Sequence, residues 1–357
     1  MTSSAPRPCE VSWFAALCDD DYEQLGVSNA DLLSSWDHCS RIVATAERHG
    51  FDNILLPSGY ALGIDSVAFA AGVASRTSTI RLLVAVRCGE MWVPQLARQM
   101  ATLDRMLDGR LTINIISSEM PGEKLDGEPR YRRTAETMRV LRSLLNGETV
   151  RSSGEYVNLD LDPPRVRTVS GSSPLLYFGG LSEPAREVAA READVYLMWP
   201  DTKERIAELI DDMRNRAARH DRTLRFGYRA HVVVRDTEGE ARAAADRLLS
   251  KLDADTGAAI RAKSLDSTSA GVQAQAALRE TAAEDGYAEP NLWTGIGRAR
   301  SGCGAAIVGD PDQVLAKLND YRDMGIEAFI LSGYPHAAEA DLFARHVLPK
   351  LEHGPLV

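Results

Sequence analysis

The stretch Arg225-Phe-Gly-Tyr-Arg-Ala-His-Val-Val-Val234 has the alternating pattern of a β-strand. Successive side chains of a strand point to opposite faces, so Arg229 and His231 share one face and the apolar residues between them share the other. An unpaired buried charge is costly, so two ionisable groups inside a closed sheet must be paired or bound to a ligand. The stretch therefore predicts either the wall of an active site or, on an edge strand, a solvent-exposed face.

Short apolar runs alternate with longer segments of helical period along the rest of the chain. This alternation is typical of repeated βα units around a parallel sheet. The predicted strands are Val11–Leu17, Asn53–Leu56, Ile80–Val86, Leu111–Ile116, Leu175–Phe178, Val195–Met198, Arg225–Val234 and Ala328–Leu331. The predicted helices include Asp31–His49, Pro94–Leu107, Tyr131–Leu145, Thr202–His220 and Pro311–Met324.

Eight predicted strands favour a closed α/β fold, the (β/α)8 or TIM barrel. The alternative is an open doubly wound sheet, but the first βα turn lacks the Gly-x-Gly-x-x-Gly of a dinucleotide-binding unit. Residues 254–303 interrupt the regular spacing, and no strand is evident there. Because βα connections are usually short, we interpret 254–303 as an insertion that forms a mobile lid within one domain of residues 1–357.

Composition and charge exclude several classes of function. The net charge of −10 argues against general binding to nucleic acid or anionic membranes. The five cysteines are scattered without metal-binding or redox spacing, so we expect free thiols in the cytoplasm. We expect no signal peptide, no membrane span and no metal site, and hydrolase and kinase motifs are absent from the sequence. Small-molecule chemistry is the remaining expectation.

Three segments carry further candidate site residues. Gly179 and Gly180 lead from a strand into a helix that begins near Ser182, which fits either a phosphate cradle or an ordinary capped turn. Arg300 lies near the end of the insertion and either closes over an anionic ligand or is simply solvated. Tyr334 follows the last strand, where it either donates a hydrogen bond at the active face or has a structural role.

A polar pair ends the fourth predicted strand, in Leu111-Thr-Ile-Asn-Ile-Ile-Ser-Ser118. Asn114 within this strand either contacts a ligand or satisfies interior polar groups, and the second is more common. Ser117 lies at the end of the strand, where contact with a ligand is favoured.

Taken together, several motifs resemble those of the bacterial-luciferase-like flavin monooxygenases, and among them the two-component alkanesulfonate monooxygenases. The motifs are Trp13-Phe14, Gln99–Arg105 with Asp108-Gly-Arg110, Tyr177-Phe-Gly-Gly180, Arg229-Ala-His231, Asn291-Leu-Trp293 and Leu331–His336. The resemblance implies a TIM barrel, a homodimer or homotetramer, and reduced FMN delivered by a separate NAD(P)H-dependent reductase. It also implies that O2 forms a flavin peroxy or hydroperoxy adduct, which oxygenates a small anionic organosulfur substrate.

The resemblance assigns roles to individual residues. The catalytic positions that it implies are His231, Arg229, Arg300 and Tyr334. The positions that it implies near the flavin are Ser117, Tyr131, Gly180, Ser182, Trp199 and Tyr334. The substrate-contacting candidates are Trp13, Cys18, Arg87 and Leu62. In this scheme the arginines stabilise an anion. His231, with a pKa near the working pH, supplies or removes a proton.

Two positions depart from the alkanesulfonate monooxygenases. Those enzymes carry a cysteine in the loop after the second strand, whereas residues Ser58–Ser66 contain no thiol, and Cys18 replaces their histidine after the first strand. The alternatives are therefore an FMN-dependent oxygenase acting on a non-sulfonate compound of a specialised pathway, a deazaflavin-dependent oxidoreductase, and a flavin-binding protein without activity. Substrate-stimulated oxidation of reduced FMN would distinguish an enzyme from the last of these.

Overall fold

The computed structural model describes residues 8–61, 63–123, 125, 127–262 and 269–356. Its strands are β1 Glu10–Phe14, β2 Asn53–Leu56, β3 Arg81–Arg87, β4 Leu111–Ile116, β5 Val150–Ser153, β6 Asn158–Leu161, β7 Leu176–Phe178, β8 Val195–Met198, β9 Arg225–Val234, β10 Tyr287–Glu289, β11 Leu292–Trp293, β12 Ala306–Gly309 and β13 Ile326–Ser332. Its helices are α1 Trp36–Arg48, α2 Ser66–Val73, α3 Val93–Met106, α4 Glu128–Asn146, α5 Glu183–Glu192, α6 Lys203–Ala218, α7 Glu238–Leu249, α8 Ala254–Ala262, α9 Ala270–Glu280, α10 Pro311–Met324 and α11 His336–His346.

Eight of these strands form a closed parallel barrel. Their order is β13-β1-β2-β3-β4-β7-β8-β9, and β9 pairs with β13 to complete the circle. The predicted TIM barrel is therefore confirmed, and the open-sheet alternative is wrong. Strand β9 is hydrogen-bonded along both edges, so the edge-strand interpretation of Arg229 and His231 is also wrong.

The helices pack around the barrel because alternate strand residues point outward into an apolar layer. On β9 the outward residues Phe226, Tyr228 and Ala230 belong to the large cluster that the helices cover. Local sequence signals set the helix ends: α10 begins with a capping box at Asp310 and ends at Gly325 in the left-handed conformation. Within the described residues, no helix is long and apolar enough to cross a membrane.

Short strands extend the sheet beyond the barrel. Strand β12 runs parallel to the second half of β9, with Ala306 opposite His231, and β11 and β10 follow in antiparallel pairing. The expectation that residues 254–303 contain no strand was thus wrong. Strands β10 and β11 have three and two residues, which is too short for a recognisable alternation. The β5–β6 hairpin was also missed, because its residues are mostly polar and only partly buried.

The insertion packs on the barrel end where the strands terminate. Gln275 of α9 donates to the carbonyl of Pro200 at 2.6 Å and accepts from the backbone of Gly304 at 3.0 Å. Gly271 lies against the indole of Trp199, where a Cβ would come within 2.9 Å of the ring. These contacts place the insertion over the mouth of the barrel, as a lid requires, while its mobility stays a prediction.

The opposite end of the barrel is closed by a hydrogen-bonded polar cluster. The Glu10 carboxyl accepts from the Tyr177 hydroxyl at 2.7 Å, from the Asn53 amide at 3.3 Å and from the backbone N–H of Leu356 at 3.2 Å. Burial raises the pKa of Glu10. The C-terminal segment therefore closes this end of the barrel, where the Glu10 carboxyl is hydrogen-bonded by other residues of the same chain.

Candidate active site

Arg229 and His231 were predicted to be two ionisable residues on one face of β9. The guanidinium of Arg229 lies on the inner face of the barrel. Arg229 is 3% exposed, and its Cζ lies 4.5 Å from the centre of the Phe14 ring. Its Nη1 donates to the carbonyl of Ala230 at 2.7 Å, whereas Nη2 has no hydrogen-bond partner among the described residues. Burial lowers the pKa of Arg229. A buried guanidinium without a carboxylate is a binding group for an anion.

His231 lies beside Arg229 and is fully buried. Its Nδ1 is 2.8 Å from the hydroxyl of Ser332 on β13, and its Nε2 has no partner among the residues described. Burial, and then the charge of Arg229, holds the pKa of His231 well below its ordinary value. The expected pKa near the working pH is therefore wrong for the protein without ligand. The imidazole is neutral, and a bound anion would favour its protonation.

Tyr334 and Arg300 approach this pair from other elements. The Tyr334 hydroxyl donates to Asp20 at 2.7 Å and accepts from Arg300 Nη1 at 2.8 Å, and Arg300 also forms an ion pair with Asp20. The Tyr334 ring is centred 5.0 Å from that of His231. Arg300 lies 5.6 Å from the centre of the Phe14 ring. The four predicted catalytic residues are thus brought together around Phe14.

His336 adds a second neutral imidazole to the same cluster. Its ring stacks on Phe14 at 5.4 Å, and its Nε2 bonds to the carbonyl of Asp20 at 2.8 Å. Burial lowers its pKa to about 4. His336 therefore adds no positive charge to the site at neutral pH.

The glycine-rich turn after β7 forms a concave backbone surface near α4. A Cβ at Gly180 would lie 2.7 Å from the Cβ of Ala185, so no larger residue fits. The same point is 3.9 Å from the Tyr131 hydroxyl, which brings two of the predicted flavin residues together. Ser182 is the N-cap of α5, and its hydroxyl accepts from Ala185 N at 3.4 Å. Ser182 caps the helix, and its own O–H remains a donor beside the helix N-terminus.

Two further flavin candidates follow β4 and β8, which flank β7 in the barrel. The Ser117 hydroxyl accepts a hydrogen bond from Thr134 at 2.7 Å, while the buried hydroxyl of Ser118 beside it has no partner in the described part of the chain. Trp199 follows β8 and lies under Gly271 and Gly302 of the insertion. Both positions are at the barrel mouth.

This geometry, a TIM barrel with arginine, histidine and tyrosine at its mouth, was compared with known proteins. The family model described as luciferase-like monooxygenase matches residues 10–328. The chain belongs to the luciferase-like monooxygenase family. The family prediction and the monooxygenase function are thereby confirmed.

Two curated relatives match this monooxygenase over almost its full length. A sulfoquinovose monooxygenase of Novosphingobium aromaticivorans is 64% identical over 359 residues, covering 99% of each chain. A sulfoquinovose monooxygenase of Agrobacterium fabrum is 52% identical and covers 99% of this chain and 92% of its own. Among solved structures, a riboflavin lyase with modified FMN and riboflavin superposes with a TM-score of 0.78 at 16% identity, covering 96% and 91% of the two chains. This structural likeness supports the fold.

The four substrate candidates of the monooxygenase differ in their placement. Cys18 lies within electrostatic reach of Arg300 and Arg87, and burial raises its pKa to about 11, so the thiol is protonated. Arg87 ends β3, but its guanidinium is engaged by Glu90 at 3.0 Å and by the carbonyl of Ser58 at 3.3 Å. Leu62 falls outside the described residues.

Trp13 does not line the mouth, and this expectation was wrong. Its side chain points outward between β1 and α11, where its ring lies 5.2 Å from that of Phe51 in a tilted arrangement and its indole N–H donates to the carbonyl of His336 at 3.1 Å. The neighbouring Phe14 is the residue that faces inward. Strand alternation from Glu10 and Ser12 would have identified it.

Asp20 is the other functional residue that was missed. Its carboxylate accepts a hydrogen bond from the Tyr334 hydroxyl and forms an ion pair with Arg300, so it connects these two side chains at the mouth. The run Asp19-Asp20-Asp21 lies in the loop after the first barrel strand, which ends at Phe14. Acidic residues after the carboxyl end of a barrel strand were therefore a usable signal.

Proposed function

We propose that this chain is the oxygenase of a two-component system, which uses O2 and reduced FMN from a separate NAD(P)H-dependent reductase. Its substrate is a small anionic organosulfur compound. The observation that carries the proposal is the buried guanidinium of Arg229, which has an unpartnered Nη2 at the barrel mouth. A buried cation without a carboxylate partner is costly, and a bound anionic ligand would offset this cost.

The residues present fit a flavin phosphate at the turn after β7. Gly180 admits close approach of a phosphate to the backbone, and Ser182 lies at the N-terminus of α5, where free N–H groups favour an anion. The Tyr131 hydroxyl completes this cradle. Ser117 follows β4 and Trp199 follows β8 at the same end of the barrel as the cradle, so they are further candidates for contact with the flavin. Reduced FMN, when bound, would supply the electrons that activate O2.

Each residue around Phe14 has a distinct part in this proposal. Arg229 and Arg300 would hold the sulfonate oxygens and orient the substrate. The Tyr334 hydroxyl, fixed between Asp20 and Arg300, would place a hydrogen bond on the same anion or on a developing oxygen charge. His231 Nε2 would accept or return a proton, because its neutral imidazole has a free nitrogen facing the site.

The names of the two relatives suggest the substrate. Sulfoquinovose is a glucose-like sugar with a sulfonate at its sixth carbon, and it has the negative charge that the two arginines require. A sugar sulfonate is also more polar than an alkanesulfonate. Cys18 and the segment Ser58–Ser66 are the positions where the sequence departs from the alkanesulfonate monooxygenases, which agrees with a different sulfonate substrate.

The experiment is a turnover assay with the purified protein, an NADH-driven flavin reductase, FMN, O2 and sulfoquinovose. We expect sulfite release that needs O2, FMN and the protein, with no reaction of glucose beyond the background. Absence of sulfite under all these conditions would reject the proposed substrate. Turnover with a reduced deazaflavin, and none with reduced FMN, would replace the proposed cofactor.

Three further parts of the proposal concern the setting of the enzyme. We infer a cytoplasmic location, which agrees with the free thiols of its cysteines. We expect a homodimer or homotetramer, which light scattering would measure. We also expect residues 254–303 to exchange amide hydrogens faster in the free protein than with flavin bound, if they form a mobile lid.

A further inference from the structure

A second group of arginines surrounds a cavity outside the barrel. The cavity lies within the insertion, between α8, α9 and residues 300–301, and its volume is about 230 Å³. Arg261, Arg279 and Arg300 line it, together with Gln275 and Ala276. Among the described residues, its wall contains no carboxylate. The cavity is large enough for a small polar ligand rather than for a single water molecule.

Two of the three guanidiniums of this cavity, those of Arg261 and Arg279, are fixed in position by backbone carbonyls and have no carboxylate partner among the described residues. Arg261 donates to the carbonyl of Arg298, and Arg279 Nη1 donates to the carbonyl of Gly297 at 2.8 Å. In the part of the chain that the structure describes, neither arginine has an ion pair with a carboxylate. Burial, and then the charge of Arg261, lowers the pKa of Arg279. Like charges held together in this way are relieved when an anion binds between them.

Arg300 connects this cavity to the barrel mouth. One part of its side chain lines the cavity, and its Nη1 donates to the Tyr334 hydroxyl at the mouth. Its Cζ stands 5.6 Å from the Phe14 ring, and Arg229 stands 4.5 Å from the same ring. Guanidiniums therefore continue from the cavity through Arg300 to the inner face of the barrel.

We propose that the cavity is an outer binding subsite for a sulfur oxyanion, either the sulfonate of the incoming substrate or the sulfite that leaves. The inference rests on the proposed function for its ligand class. Each anchored guanidinium can donate paired N–H groups to two oxygens of an SO3 group, which accepts several charge-assisted hydrogen bonds. On a chain with a net charge of −10, such a local cationic pocket raises the concentration of the anion beside the mouth.

The test compares the wild type with the double variant Arg261→Gln/Arg279→Gln in the full-length protein before flavin is added. Calorimetric titration with sodium sulfite should show two sites in the wild type, and the outer site should weaken by about tenfold or more in the variant. The matched control is Arg247→Gln, an exposed arginine of α7 away from the cavity, which should bind sulfite like the wild type. Equal stoichiometry and affinity in wild type and double variant would overturn the proposal.

Turnover of sulfoquinovose separates the two sources of the oxyanion. If the substrate's sulfonate uses the subsite, kcat/KM should fall about tenfold in the double variant while kcat at saturation is unchanged. If kcat/KM is unchanged and the outer sulfite site is lost, the subsite belongs to the product. Sulfite binding at the cavity without any sulfite release from sulfoquinovose would leave the subsite standing and reject the proposed function.

A second variant keeps the test valid if the double variant folds poorly. Ala276→Glu places a carboxylate on the cavity wall and leaves all three arginines in place. The new carboxylate would pair with them, so the outer sulfite site should disappear while thermal unfolding stays like that of the wild type. Retention of the outer site in a folded Ala276→Glu protein would contradict the proposal.

Discussion

Both ends of the barrel bury polar side chains, but the two ends differ in whether these side chains have hydrogen-bond partners within the protein. At the end sealed by the C-terminal segment, the carboxyl of Glu10 is met by Tyr177, Asn53 and the backbone of Leu356. At the mouth, Arg229 Nη2 and His231 Nε2 are buried without partners among the described residues. The polar groups at the first end are paired within the protein, whereas two buried polar atoms at the second end are not paired within the described residues.

This difference teaches how to separate structure from function among buried polar residues. Since an unsatisfied buried group reduces stability, the protein keeps one where another gain offsets the loss. Binding and catalysis are such gains. The following variants should affect stability at one end of the barrel and activity at the other.

The largest effect is expected for Arg229→Met. Loss of the buried cation should lower kcat/KM for the sulfonate at least ~100-fold, because a charge-assisted contact to the substrate disappears. The free energy of unfolding should not fall, since an apolar side chain replaces a charge that lacks a carboxylate partner. Steady-state sulfite release and urea unfolding measure the two quantities. The control Arg81→Met, at the sealed end, should keep its activity within about twofold.

The opposite pattern is expected for Tyr177→Phe. Removal of the hydroxyl leaves one oxygen of the buried Glu10 without its 2.7 Å donor, which should cost about 1–3 kcal/mol of stability. The kcat/KM of the folded protein should change by less than about twofold. Chemical unfolding and sulfite release again report the two effects. A large loss of activity with unchanged stability would show that the sealed end also takes part in the reaction.

The neutral imidazole of His336 predicts a dependence of stability on pH. Burial lowers its pKa from 6.5 to about 4, so between these values the unfolded chain binds a proton that the folded protein does not. The stability that the neutral form contributes is complete above pH 6.5 and is lost as the pH falls through about 4. Over this window the wild type should lose about 1 kcal/mol per pH unit more than His336→Asn. Parallel curves of unfolding free energy against pH would contradict this assignment.

The barrel itself was predictable from the sequence because its strands are buried, apolar and separated by long helices. Four of the eight predicted strands have the observed bounds, including Arg225–Val234. The same alternation predicted that Arg229 and His231 share one face, and the closed barrel then decided that this face points inward. What the sequence could not provide was contact between distant segments. Asp20 meets Arg300 and Tyr334 only after the barrel closes, and the cavity of Arg261 and Arg279 exists only because the insertion folds over the mouth.

The smallest effect is expected for Asp20→Asn, which tests the role of the Asp20 carboxylate at the mouth. Asp20 pairs with Arg300 in the described structure, so an anionic substrate competes with this carboxylate for the guanidinium. Removing its charge should lower KM for sulfoquinovose by about threefold, with little effect on kcat. Initial rates over a range of substrate concentrations measure this shift. An increase in KM would instead show that Asp20 holds Arg300 in the binding position.

The central claim is that an anion binds at the mouth of the barrel and that none binds at the sealed end. Titration of the histidines by NMR tests this claim most directly. His231 lies at the mouth, and His353, whose pKa is raised by its hydrogen bond with Asp52, lies near the sealed end. The signal of His231 is assigned with His231→Asn. We expect His231 to stay neutral well below pH 6.5 in the free protein, and its pKa to rise when sulfoquinovose binds while that of His353 is unchanged. Titration of His231 near pH 6.5 with no response to sulfoquinovose would contradict the account.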